Sequence, residues 1–173
     1  MELKEYENLL TIARLAPLDN PKRMVFGIEA VTKVGEEAKR LKTKNILVVT
    51  DENIEKAGLL DKVKAPLDAE KLKYYVYKIP TAEPTMSSAK AITDHVRKNK
   101  YDLVIGVGGG SCMDSAKLAA IMATNKGDVE SYCASATRAP EPLTEDALPK
   151  ILIPTTAGTG SEASNTLVII DGG

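Results

Sequence analysis

Residues 102–111 read Asp-Leu-Val-Ile-Gly-Val-Gly-Gly-Gly-Ser, an apolar run that ends in three consecutive glycines. The stretch that follows carries Ala116, Ala119, Ala120 and Ala123. The run Asp102–Val107 suits a strand buried on both faces, and the alanines suit a helix lying close to a sheet. Each glycine in regular structure costs about 0.5–1 kcal/mol relative to alanine, so three in a row are conformationally expensive. A dinucleotide pyrophosphate gives them a use. Its oxygens need backbone N–H groups at close range, and a helix N-terminus adds the positive end of its dipole. As a G-x-G-x-x-G match the segment offers Gly106, Gly108 and then Ser111 where a glycine or alanine is expected, a near miss in the right strand–turn–helix context. The competing reading is a tight turn with no ligand. Ser111 and Asp114 have the spacing of a capping box. A carboxylate aimed inward would repel phosphate, so Asp114 is expected to organise the loop rather than touch a ligand.

The rest of the chain alternates in the same way. Residues 1–20 are expected to form a short helix and an irregular stretch, and Met24–Gly27 a short strand. Val31, Val34, Ala38 and Leu41 recur at helical spacing. Asn45–Thr50 is a second doubly buried strand. A helix is expected over Ile54–Val63, broken by Pro66. Tyr74–Lys78 reads as a strand, and Thr85 offers an N-cap to a helix with Ala89, Ile92 and Val96 on one face. The segment from Asp128 to Pro149 reads as a loop, with strands at Lys150–Ile153 and Thr166–Ile170. Strands alternating with helices predict an α/β fold with a doubly wound, mostly parallel, Rossmann-like sheet. Asp51 follows Asn45–Thr50 at the carboxyl end of that strand. It is read equally as an N-cap for Glu52–Lys56 and as an acceptor for ribose hydroxyls.

Composition excludes several classes. The formal charge is −1, with 23 basic and 24 acidic residues, which points to neither nucleic acid nor an acidic membrane surface. No apolar run reaches the roughly 20 residues of a membrane span. Cys112 and Cys133 are far apart, and reduced thiols in a cytoplasmic protein are the expectation. His95 is the only histidine and is expected to be surface or partly packed.

Two longer motifs bring a family into view. The segment Gly108-Gly109-Gly110-Ser111-x-x-Asp114-x-Ala116-Lys117 and the later Pro154-Thr155-Thr156-Ala157-Gly158-Thr159-Gly160-Ser161-Glu162 closely resemble the iron-containing alcohol dehydrogenases. Val49-Thr50-Asp51 and Phe26-Gly27 fit that family's opening, and the resemblance spans roughly residues 23 to 171. It implies a nucleotide-binding portion of an enzyme that passes hydride between an alcohol or aldehyde and NAD, with NADP less favoured. It places Asp51 at the adenosine ribose and Gly109, Gly110 and Ser111 on the pyrophosphate. Thr155, Thr156 and Thr159 would meet the adenosine and nicotinamide ends, with Glu83 and Ser164 as further cofactor contacts. The hydroxyls and glycines after Lys150–Ile153 suit that chemistry, although a polar β-to-α turn has the same composition.

The departures from the family are also explicit. Its members carry a second, helical domain with an aspartate and three histidines for iron or zinc, and one histidine cannot make that first shell. The expectation is an N-terminal extension over 1–22 and a dinucleotide-binding domain over 23–173, truncated at its C-terminal end, with no metal site and no alcohol oxidation by these residues alone. Asp171-Gly172-Gly173 reads as a turn after Thr166–Ile170, so that strand is expected to expose a sheet edge favouring homo-oligomers. Glycerol, glycerol-phosphate or dehydroquinate-type relatives, and a non-catalytic nucleotide-binding module, are the alternatives.

Overall fold

The computed structural model describes residues 21–80, 84–134 and 139–170. The expected N-terminal helix, Glu83 and the Asp171–Gly173 turn lie outside them. Four strands form one sheet: β1 (Asn45–Thr50), β2 (Lys73–Lys78), β3 (Leu103–Gly108) and β4 (Lys150–Pro154). Their order is β2-β1-β3-β4, and all three pairings are parallel. The two central strands are the continuous apolar runs, because both their faces are covered. Every residue of β3 is buried, while β2 alternates between exposed and half-buried at the edge.

Side chains of β1 divide by parity between two cores. Ile46 and Val48 join Leu103, Ile105 and Val107 against α1 (Val34–Arg40) and α3 (Leu59–Ala69). Leu47, Val49 and Val104 face α4 (Met86–Lys98) and α5 (Gly110–Met122) on the other side. The sheet is therefore doubly wound, as expected. Thr85 caps α4 by accepting from the Ser88 N–H, and Ala89, Ile92 and Val96 are buried. The short α2 (Glu52–Lys56) follows β1 directly.

Three expectations require correction. Met24–Gly27 forms no strand, and Phe26 is 96% exposed. The helix expected over Ile54–Val63 is two helices, interrupted at Gly58 with its left-handed φ of 71°. Pro66 lies inside α3 instead of ending it. An interior proline forfeits a hydrogen bond, a loss of about 3 kcal/mol. Continuing past it buries Leu67, and α1 seats on the same turn: a Cβ at Gly35 would lie 2.2 Å from the Pro66 carbonyl oxygen. Finally, Thr166–Ile170 forms no strand; its one ladder contact is a parallel bridge between Thr85 and Ile170, and Lys117 and Asp114 bond Thr166 and Val168.

Candidate functional site

The crossover from β1 leads outward to β2, whereas β3 leads outward to β4 on the opposite side. The direction of winding reverses between the carboxyl ends of β1 and β3, which is where open α/β sheets leave a crevice for ligands. Asp51 follows β1, and Gly109 through Ser111 follow β3. Contact between the two is direct, because the Cys112 thiol donates to Asp51 Oδ2 at 3.2 Å. The end of β4 joins them through the Thr155 N–H, which donates to the Gly108 carbonyl at 2.9 Å.

The glycines of this turn have two separate physical causes. Gly108 has φ 146°, and a Cβ there would sit 2.5 Å from Cys112 Sγ; a Cβ at Gly106 would sit 2.7 Å from that of Ala116. Close seating of α5 on β3 demands glycine at both. Gly109 and Gly110 face no such demand. A Cβ would stand 3.6 Å from Thr156 Oγ1 at the first and 3.5 Å from Thr159 Cβ at the second, both ordinary contacts. Both glycines instead leave a gap about one methyl group wide between the turn and the threonine segment. Gly109 caps α5 without any side-chain hydrogen bond, so no side chain caps the first-turn N–H groups. Gly109, Gly110 and Ser111 are half-buried, and Thr155, Thr156 and Thr159 are exposed across the gap.

Asp51 caps α2. Its Oδ1 accepts from Asn53 N at 2.7 Å and Ile54 N at 2.9 Å. That leaves Oδ2, shared with Cys112, on the side of the crevice. Burial pushes the Cys112 thiol up, with the Asp51 carboxylate adding to the shift, so it remains a neutral donor and no nucleophile. The capping box expected between Ser111 and Asp114 is absent, because α5 starts at Gly110 and puts Asp114 in its second turn. Asp114 instead accepts from Ser161 Oγ at 2.5 Å and from Val168 N at 3.1 Å, organising the loop as expected. The Ser164 hydroxyl lies 3.3 Å from Lys117 Nζ and donates to the Thr166 carbonyl. Lys117, which forms part of this arrangement, was not among the sequence-derived candidates. Its signals were a place in the resembling motif and a cationic residue among the apolar positions of α5.

His95 is half-buried among Tyr75, Tyr77 and Tyr101 and bonds the Tyr101 hydroxyl at 2.9 Å. Burial holds its pKa below the ordinary value. Among the described residues no group of three His, Cys, Asp or Glu side chains is placed to hold a metal, so these residues do not fit an iron or zinc centre. No described helix is long and apolar enough to cross a membrane.

The family model for iron-containing alcohol dehydrogenases matches residues 21–173. Long-chain-alcohol dehydrogenase 1 of Geobacillus thermodenitrificans is 45% identical over 144 residues, which is 83% of this chain and 36% of that protein. Sulfoacetaldehyde reductase of Bilophila wadsworthia is 35% identical over 150 residues, covering 87% of this chain and 38% of the relative. Among solved structures, an alcohol dehydrogenase from Oenococcus oeni matches with a TM-score of 0.81 at 32% identity, over 92% of this chain and 41% of that one. The NADH-dependent butanol dehydrogenase A of Thermotoga maritima matches with a TM-score of 0.80 at 28% identity, over 91% and 39%. The chain thus spans about two-fifths of the length of the proteins it matches.

Proposed function

Because the chain belongs to the iron-containing alcohol dehydrogenase family, we propose that residues 23–173 are the dinucleotide-binding domain of an NAD-dependent enzyme that interconverts a small alcohol and its aldehyde. The observation that carries this reading is the gap at Gly109 and Gly110, which the protein's own packing does not require. Backbone N–H groups of Gly109, Gly110 and Ser111 hold the pyrophosphate at the start of α5, where the helix dipole favours an anion. The hydroxyls of Thr155, Thr156 and Thr159 close over the opposite side and meet the adenosine and nicotinamide ends. Asp51 offers Oδ2 to a ribose hydroxyl while Oδ1 continues to cap α2. Glu83 is assigned to the cofactor by resemblance, and Ser164 acts from behind the threonine segment. When bound, NAD supplies the hydride acceptor; these residues bind and orient it. No chemical step is assigned to a metal on the described residues.

Calorimetric titration of NAD into the unmodified chain and two variants tests the assignment. Gly109→Ala keeps the fold, since its Cβ makes only ordinary contact, yet it intrudes on the gap. Gly109→Val intrudes further. Affinity is expected to fall at least about tenfold in the alanine variant, equivalent to about 1.4 kcal/mol, and to vanish in the valine variant. Unchanged affinity in both would remove the pyrophosphate assignment.

A further inference from the structure

Lys117 is a lysine that solvent hardly reaches. Its side chain is 2% exposed, and it sits on α5 two turns beyond the glycine cradle. The ammonium lies 2.9 Å from Asp114 Oδ1 and donates to the Ser161 carbonyl at 3.0 Å, to Ser164 Oγ at 3.3 Å and to the Thr166 carbonyl. Asp114 adds the Ser161 hydroxyl and the Val168 N–H. Two side chains of one helix therefore grip residues 161–168 at five points. That segment forms no strand, and 155–160 precede it as an exposed turn. The turn hangs between two attachments: Thr155 N–H on the Gly108 carbonyl at one end, and the Asp114–Lys117 pair at the other. The second attachment reaches the candidate contacts directly, because the Ser161 N–H donates to Thr159 Oγ1 at 3.4 Å. A charge this deeply buried persists only when its protons are matched by acceptors, and here the acceptors belong mainly to the segment being held.

We propose that Lys117 is a positioning residue for cofactor binding: its buried ammonium fixes the Thr155–Thr159 turn at a set distance from the Gly109–Ser111 cradle without touching the ligand. The proposal rests on the cofactor assignment given above. It differs from a purely structural role in one respect. The core of α5 against β3 is made by Ala116, Ala119 and Ala120, all fully buried, and does not depend on the ammonium. Loss of the charge should loosen one loop and leave the sheet in place.

Lys117→Met keeps the length and apolar stem and removes the charge. Two readouts are needed on the full chain: NAD affinity by calorimetry at a temperature where the variant is folded, and hydrogen exchange by mass spectrometry. The expected result is an affinity loss of roughly tenfold or more, with faster exchange in peptides covering 155–168 and unchanged exchange in β1 and β3. Ser161→Ala, which removes only the hydroxyl donated to Asp114, should shift both readouts in the same direction by less; it carries the test if Lys117→Met does not fold. Normal affinity and a protected loop in a folded variant, or exchange that rises evenly across the sheet, would overturn the proposal. An unmodified chain that binds no NAD would instead overturn the cofactor assignment, and the exchange pattern would still decide whether the lysine fixes the loop.

Discussion

Asp51 fills one of the two readings that its sequence position allowed, the N-cap, and keeps its second oxygen for the ribose contact proposed above. Two backbone N–H groups occupy Oδ1 as an N-cap, and the second oxygen, held by Cys112, remains on the crevice side. The two roles separate by substitution. Asparagine in its place would keep an oxygen for the cap but carry no charge, whereas alanine would lose both. Asp51→Asn should therefore narrow a preference for NAD over NADP, because a carboxylate beside a 2′-phosphate costs about 1–4 kcal/mol near a protein surface. Its stability should change little. Asp51→Ala should lose the preference and also about 0.5–2 kcal/mol of stability through the missing cap. Affinities for both dinucleotides, with thermal unfolding alongside, check this; equal binding of NAD and NADP by the unmodified chain would remove Asp51 from the ribose. The glycines make the same point at a neighbouring site. In sequence Gly108, Gly109 and Gly110 look equivalent, yet only the first is required by the helix packed against it.

Between elements, the two central strands are registered at their amino ends by Asp102. Its Oδ1 accepts from the Thr43 hydroxyl and from Asn45 N at 3.0 Å, and Oδ2 accepts from Lys44 N at 2.8 Å. Burial pushes this carboxyl up, but the hydrogen bonds from Thr43, Asn45 and Lys44 outweigh it and hold the pKa below the ordinary 3.8. A carboxyl depressed in the folded state stabilises the fold above its unfolded pKa, and that contribution disappears as pH falls through the folded value. Asp102→Asn offers one acceptor oxygen to three donors. It should cost about 1–3 kcal/mol near pH 7, with the gap to the unmodified chain closing as pH drops below 3.8. Urea denaturation across that range is the measurement, and a gap independent of pH would show that the charge contributes nothing. The helix α3 carries a related lesson. Pro66 is a local stop signal that tertiary packing overrides, because the burial of Leu67 and the close approach of Gly35 to the Pro66 carbonyl lie on the turn that continues past it.

For the molecule as a whole, the expected activity of these 173 residues is cofactor binding without alcohol oxidation. Their one histidine already bonds a tyrosine and packs among three aromatic rings, so it offers no start for an alkoxide-stabilising centre. An assay of NADH formation from small primary alcohols and diols, with iron or zinc added, should give no turnover; activity that needs the metal and disappears with a chelator would contradict this. The doubly wound sheet was legible from sequence because its signals are local. The apolar runs of β1 and β3 reflect strands covered on both faces, Thr85 caps by a contact three residues away, and glycines mark the strand-to-helix turn. The two long motifs likewise identified the family from the chain alone. Other features depend on residues distant in sequence. Thr166–Ile170 has strand-forming composition, but Lys117 and Asp114 engage its backbone from α5 and leave it with one bridge. Met24–Gly27 has apolar residues but no paired strand, and Lys117 reads as an ordinary helical cation until Ser161 and Thr166 fold over it. Sequence determined which segments become strands and helices where hydrophobic pattern and turn chemistry act over a few residues. Tertiary structure decided which backbone groups, carboxylates and cations find partners, since those partners arrive from about 40 to 60 positions away.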